Sequence, residues 1–223
     1  KEIASQIQQF EIIESILDNK IAFGPLKPMY DAHDYTYQIV SALDTIKREG
    51  YTPESFEALV YTEHHEALKD ESLYYKTNSK HGKVGEIKKK DLRALEKKKE
   101  KCLALAEIYQ YYQEELDKQM LFDYADLLLV VLAELDSNPE FKADLQEQYQ
   151  YILVDEHQDT NDAQNRLITH LIDNPANEGK PDIFIVGDTK QSIFRFAGAS
   201  EASYKALQNN FSSMQHITLQ TNY

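Results

Sequence analysis

Two short apolar runs constrain this chain more than any other feature. Tyr151-Ile152-Leu153-Val154 stops abruptly at Asp155-Glu156-His157-Gln158-Asp159, and Ile183-Phe184-Ile185-Val186 stops at Gly187-Asp188-Thr189-Lys190-Gln191. Runs of this length, apolar throughout, are the mark of parallel strands buried on both faces. In open parallel sheets the ligand crevice lies just beyond the carboxyl ends of such strands. Between the two runs, Asn161 or Asp162 is placed to cap a helix reaching Ile172, and Asn174-Pro175 with the loop to Pro181 leads into the second strand. Helices are expected near 123–134, 141–147 and 201–209, and a third strand at His216 to Leu219. Alternation of strand and helix predicts an α/β fold with parallel pairing through right-handed crossovers.

The first half of the chain has a different period. Ile3, Ile7, Phe10, Ile13 and Leu17 recur at helical spacing over 2–18, and Ile39, Leu43 and Ile46 repeat the pattern over 35–47. Gly24-Pro25 and Lys27-Pro28 break between them, Gly50 ends the second helix, and Thr52-Pro53-Glu54-Ser55 starts a third. Leu92, Leu95, Cys102, Ala106, Tyr109 and Leu116 then mark one seam of a long helix from about 87 to 116. No strand alternation is visible, so residues 1–121 are expected to form an all-helical subdomain and 122–223 a second, α/β domain.

The residues at the two strand ends suit nucleotide chemistry. A nucleoside triphosphate carries Mg²⁺, a hard cation that keeps several waters and needs only one or two protein carboxylates. Asp155 is placed to hold it. A second carboxylate within reach of the attacking water can orient and deprotonate it, which is the role expected of Glu156. Gln191, polar and uncharged beyond the second strand, fits a sensor of the γ-phosphate.

These residues also carry a resemblance. Val154-Asp155-Glu156-His157-Gln158-Asp159-Thr160-Asn161 with Gln164 is similar to the second motif of UvrD/Rep-type superfamily 1 helicases, VDE-x-QDTN-x-x-Q. Gly187 to Ala199 resembles their third, GD-x-x-QSI-[YF]-x-[WF]-R-GA, and Leu219-Gln220-Thr221-Asn222-Tyr223 the start of their fourth, L-x-x-NYR. Phe122-Asp123-Tyr124-Ala125-Asp126-Leu127-Leu128 resembles the F-x-D-L-L helix that precedes the second motif. Motifs in this order and spacing are far more specific than a lone acidic pair after an apolar strand. The resemblance is good over about 119–223 and only positional before that.

Several expectations follow from it. The fold implied is an incomplete RecA-like, P-loop-type parallel-sheet domain preceded by an inserted helical subdomain. The activity implied is ATP-dependent movement on single-stranded DNA, of 3′ to 5′ polarity, with unwinding at duplex junctions. ATP and Mg²⁺ are the implied cofactors, with Asp155, Gln191 and Tyr223 at the nucleotide, Asp155 at the metal, and Glu156 and Gln191 catalytic. Phe194 and Phe196 stand where related helicases stack aromatics on bases, a contact contributing about 1 to 3 kcal/mol per base. Arg195 is their basic neighbour. One departure stands out: the arginine that normally follows the second aromatic is Ala197. Lys190 is shared with the recombination-nuclease branch of RecB and AddA types, but the rest of the motif does not select a branch.

No G-x-x-x-x-G-K-[ST] phosphate loop occurs in the sequence; its seven glycines stand at 24, 50, 82, 85, 179, 187 and 198. The chain is therefore read as a piece of a longer helicase, partnered by the remaining domains of the same polypeptide and inactive toward ATP on its own. The strand that would carry the missing loop belongs in the same sheet, so apolar sheet surface is expected to be open.

Composition sets the remaining bounds. The 223 residues are 42% hydrophobic, enough for a core, and no apolar run approaches the roughly 18 residues of a membrane span. With no signal peptide at its start and a single cysteine, Cys102, the chain is expected in the cytoplasm with that thiol reduced. No His/Cys spacing suits zinc. The net charge of −14 is unusual for a protein that meets phosphate backbones, yet it is unevenly spread. Residues 76–101 hold eleven Lys or Arg against four Asp or Glu, leaving −21 elsewhere. Lys88, Lys89 and Lys90 are the candidates for contact with duplex phosphate.

Three other function classes are weighed. An RNA helicase of the DEAD-box type would carry serine/threonine-alanine-threonine as its third motif. A catalytically inactive nucleic-acid-binding or scaffolding module derived from a helicase would lack a phosphate loop in the whole protein. A stand-alone hydrolase would use Asp155, Glu156 and Asp188 as one metal site. For the basic stretch the test is direct: neutralising Lys88, Lys89 and Lys90 in the intact enzyme should weaken junction-DNA binding and flatten its salt dependence. Unchanged affinity and slope would mark the stretch as a solvated face.

Overall fold

The computed structural model describes residues 1–19, 26, 34–78, 82–174, 180–188, 215, 217 and 218. By contacts the chain divides into two compact units, one of Lys1–Lys47 with Tyr51–Asp126, the other of Arg48–Gly50 with Leu127–Tyr223. The chain passes between the units after Lys47, after Gly50 and after Asp126. Among the described residues no helix is long and apolar enough to cross a membrane.

The first unit is built on β1 (Glu2–Ile3), α1 (Gln6–Asn19), α2 (Thr36–Arg48, whose last residue groups with the other unit), α3 (Pro53–Ala67), α4 (Lys89–Lys118), β2 (Leu121–Phe122) and the start of α5 (Tyr124–Ser137). Helix starts follow a repeated local chemistry in which the residue before the helix and the third helical residue cap each other's backbone N–H groups. Ser5 and Gln8 do this for α1, Thr52 and Ser55 for α3, Asp123 and Asp126 for α5. The long α4 is the spine: α1 and α3 pack along it. Its Ala104, Ile108, Tyr109, Tyr112 and Leu116 share one core with Ile12, Ile13 and Ile16 of α1 and Ile39, Leu43 and Ile46 of α2.

This unit is not all-helical, as the periodicity suggested. β1 pairs in parallel with β2, Glu2 opposite Leu121 and Ile3 opposite Phe122, and Tyr74 forms an antiparallel bridge with Ile87. Strands of two residues are too short to show alternation, and a partner more than a hundred positions away leaves no local trace. The first helix accordingly begins at Gln6, after the Ser5 cap, rather than at residue 2.

Inside this core lies a charge. Lys47 is fully buried, and its Nζ donates to Asp123 Oδ2 at 2.6 Å and Asp126 Oδ1 at 2.7 Å. It also stands 4.8 Å from the ring centre of Tyr112 and 5.5 Å from that of Tyr109. Such placement within about 6 Å of aromatic faces adds a cation–π attraction. Tyr112 Oη donates to Asp123 Oδ2 at 3.3 Å, Gln113 Nε2 to Asp126 Oδ1 at 3.0 Å, and Tyr109 Oη to the Tyr51 carbonyl at 3.0 Å. Burial first, then the two carboxylates, push both tyrosine hydroxyls far above their ordinary value, so each keeps its proton to donate.

The second unit places α6 (Pro139–Gln148), β3 (Ile152–Val154), α7 (Asp162–Ile172) and β4 (Ile183–Ile185) after the remainder of α5. β3 and β4 are parallel, with Ile152 opposite Ile183, Leu153 opposite Phe184 and Val154 opposite Ile185. Alternate side chains Ile152, Val154, Ile183 and Ile185 pack on Ile168 and Ile172 of α7. Those pointing to the opposite face stay open, Leu153 at 78% exposure and Phe184 at 61%. Gln146 of α6 closes the end of α7, its Nε2 donating to the carbonyls of His170 (2.7 Å) and Asp173 (3.0 Å). Asp136 binds Arg166 and His170 of α7, each at 3.0 Å. The helix expected near 201–209 lies outside the described residues, as does most of the third strand, of which Ile217 and Thr218 are described and not in a strand.

A buried ion cluster is costly to break because the surviving charges stay desolvated. Lys47→Met should therefore destabilise the chain by about 3 to 5 kcal/mol, read from the urea midpoint. A loss under about 1 kcal/mol would show that the carboxylates are reached by water.

Candidate functional site

The carboxyl edge of the β3–β4 pair gathers the acidic residues of both runs. The ladder continues past the strands, Val186 N donating to the Val154 carbonyl at 2.8 Å and His157 N to the Val186 carbonyl at 2.9 Å. That last bond draws the turn after β3 against Gly187 and Asp188. The chain leaves β3 through Glu156 in the left-handed region, φ 49° and ψ 43°, an unusual conformation for a residue with a Cβ. Reversing there costs roughly 1 to 2 kcal/mol. It opens a 3₁₀ turn over His157–Asp159, in which Asp159 N donates to the Glu156 carbonyl at 2.8 Å.

The two acids differ in how they are held. Asp155 is exposed, and its Oδ1 accepts from the Glu156 N–H at 2.9 Å, so a short carboxylate sits at the strand tip with its second oxygen available to a cation. Glu156 is also exposed, and its Oε2 accepts from Gln158 Nε2. Gln158 is buried, and its Oε1 accepts from the Asp188 N–H at 2.9 Å. One amide thus touches the ends of both strands.

Underneath, the turn is fixed by polar side chains. His157 is buried with its Nε2 3.0 Å from Asn165 Oδ1, and Thr160 Oγ1 donates to the His157 carbonyl (2.7 Å) and to Asn165 Oδ1 (3.1 Å). Asn161 and Gln164 form a reciprocal cap for α7. The motif therefore reads as three jobs: exposed acids at the tip, a buried clamp in the turn, and a cap that starts the next helix.

Oxygen donors of this kind suit Mg²⁺, which binds through one or two carboxylates, waters and substrate phosphates. Among the described residues no group of three or more His, Cys, Asp or Glu is arranged to hold a metal, so Asp155, Glu156 and Asp188 do not form a self-sufficient cage.

Of the residues singled out from sequence, Asp155 and Glu156 are brought together with Gly187 and Asp188. Gln191, Phe194, Arg195, Phe196 and Tyr223 lie outside the described residues. Lys88, Lys89 and Lys90 belong to the first unit, at the start of α4. Lys88 is half-buried, its Nζ donating to the Ser72 carbonyl at 2.6 Å, while Lys89 and Lys90 are exposed. Burial raises the Cys102 thiol above its ordinary value, so thiolate chemistry is disfavoured there. Sequence reasoning gave no role to Gln158 or Gly187; the cue for Gln158 was its fixed place two residues after Glu156.

A parallel strand pair packed on a helix, with carboxylates at its carboxyl edge, defines the class as α/β. A family model described as UvrD/REP helicase N-terminal domain matches residues 6–212, and the chain belongs to that family. It is 33% identical over 122 residues to the ATP-dependent DNA helicase UvrD1 of Mycobacterium bovis, covering 54% of this chain and 16% of that protein. It is 34% identical over 119 residues to the ATP-dependent DNA helicase PcrA of Bacillus subtilis, covering 53% and 15%. With the ATP-dependent DNA helicase Rep of Buchnera aphidicola it shares 35% over 118 residues, covering 53% and 18%. The chain spans less than a fifth of the length of these curated relatives.

Proposed function

We propose that this chain is part of an ATP-dependent DNA helicase or translocase, of which it supplies the water-activating half of the ATP site together with a helical subdomain. The observation that carries the reading is the joining of Glu156, through Gln158, to the Gly187–Asp188 segment, with Asp155 bonded to the Glu156 N–H at the same sheet edge. Family membership and relatives named as ATP-dependent DNA helicases support it.

In this reading residues 1–121 are the inserted subdomain and 122–223 a portion of the RecA-like motor domain. Asp155 is the carboxylate that holds Mg²⁺, which when bound neutralises charge on the β- and γ-phosphate oxygens. Glu156 takes a proton from the attacking water. Gln191 senses the γ-phosphate, and Tyr223 contacts the nucleotide. Phe194 and Phe196 stack on single-stranded bases with Arg195 beside them, while Lys89 and Lys90, and Lys88 through the N–H groups not given to Ser72, face duplex phosphate. Since Gln191 precedes Phe194 by three positions, one segment reaches both ligands and each biases the other's binding. The direction is 3′ to 5′ and the compartment the cytoplasm. The open apolar face of Leu153 and Phe184 fits a sheet whose further strands and covering helices come from the rest of the polypeptide.

The two acids should separate in the intact enzyme. Asp155→Asn is expected to weaken Mg²⁺-nucleotide binding and lower kcat together. Glu156→Gln is expected to keep nucleotide affinity and lose about 100-fold or more in kcat, because it removes the base and keeps the shape. Steady-state ATPase with a direct nucleotide-binding titration checks both. Near-parental turnover in Glu156→Gln would remove it from catalysis, and absence of any ATPase in the intact parent would favour the inactive binding module.

A further inference from the structure

We infer that Gln158 is a positioning residue for ATP hydrolysis: it fixes one oxygen of Glu156 and ties that carboxylate to the backbone of the Gly187–Asp188 turn. The inference rests on the reading of Glu156 as the group that takes the water's proton.

A side-chain amide has a donor end and an acceptor end, and here each is committed to a different strand end. Nε2 donates to Glu156 Oε2, and Oε1 accepts from the Asp188 N–H at 2.9 Å. A glutamine amide offers both at the end of one side chain. The amide is buried, with Gln158 only 5% exposed, so its bonds are little diluted by water. It does not exchange protons itself. By holding Oε2 it leaves Oε1 as the oxygen to which the water's proton is transferred while the water oxygen bonds to the γ-phosphorus and the bond from that phosphorus to the β,γ-bridging oxygen breaks, ADP leaving.

Gly187 supplies an independent sign that this arrangement is built in. A Cβ there would stand 2.9 Å from Gln158 Oε1, whereas the next atoms, Gln158 N and His157 Cβ, would be at an ordinary 3.4 Å. Gly187 has no left-handed backbone to justify it. The space that a Cβ would occupy is needed by the amide oxygen, so the glycine keeps the clamp's seat clear.

A carboxylate at position 158 separates the two halves of the clamp. Gln158→Glu retains an acceptor for Asp188 N–H but presents no donor to Glu156 when ionised; Gln158→Ala removes both; Gly187→Ala leaves Gln158 chemically intact and crowds its amide. In the intact helicase, steady-state ATPase should show kcat lowered roughly 10- to 100-fold in Gln158→Glu and Gln158→Ala, the range seen when the partner that orients a reactive ligand is lost. KM for ATP should stay within about threefold, since loss is confined to the transition state. Gly187→Ala should also lower kcat, and should cost nothing further when added to Gln158→Ala, where no amide remains to be displaced. Turnover within twofold of the parent in Gln158→Glu, while Glu156→Gln has lost its turnover, would overturn the clamp and leave the reading of Glu156 standing. Parental turnover in Glu156→Gln would overturn both. Equal rises in KM and falls in kcat across the Gln158 variants, or additive losses in the double variant, would reduce Gln158 and Gly187 to general support of the fold.

Discussion

Everything at the acidic edge depends on the register of one parallel strand pair. With Val154 opposite Ile185, the bond from His157 N to the Val186 carbonyl follows the ladder, and the turn after β3 closes onto the residues that leave β4. A slip of β4 by one residue would turn Ile183 and Ile185 away from α7 and expose half of the packed face. The same slip would part Gln158 from Asp188. The hydrophobic contact with α7 therefore sets the geometry of the polar groups, although it touches none of them.

The first unit solves a different problem. Its core must hold three helices and a two-stranded pair around α4, and it does so with a charge at the centre. Lys47, Asp123 and Asp126 are kept by a network in which the two aspartates also cap α5, Tyr112 Oη donates to Asp123 and Gln113 Nε2 donates to Asp126. A single ammonium against two carboxylates would leave negative charge poorly solvated, and the extra donors offset it. The F-x-D-L-L resemblance thus has a structural meaning here: Asp123 and Asp126 are the anions of this cluster.

Much of this was legible in the sequence, and the reasons are local. Helices 36–48, 53–67, 89–118 and 162–172 announce themselves by apolar spacing and by caps such as Asn161 with Gln164, which are read within one turn. The parallel strands were legible because each is an unbroken apolar run that ends in acids. Lys47 was not, since nothing in its own surroundings distinguishes a buried lysine from the solvated ones of α4; its partners are 76 and 79 residues away. The β1–β2 pair failed for the same reason. At the site, Asp155 and Glu156 stood out because charged residues follow an apolar strand. Gln158 is uncharged and Gly187 has no side chain, so their roles appear only when the two turns are seen in contact.

The central claim is that this edge is where the nucleotide's metal and attacking water are handled. The most direct measurement is a structure of the intact protein with Mg²⁺ and a non-hydrolysable ATP analogue. The account requires the cation at Asp155, either at about 2.0 to 2.1 Å from a carboxylate oxygen or one water removed, and Glu156 Oε1 within hydrogen-bond reach of a water facing the γ-phosphate. A nucleotide seated away from the carboxyl ends of β3 and β4, or a metal held with no contribution from Asp155, would contradict it.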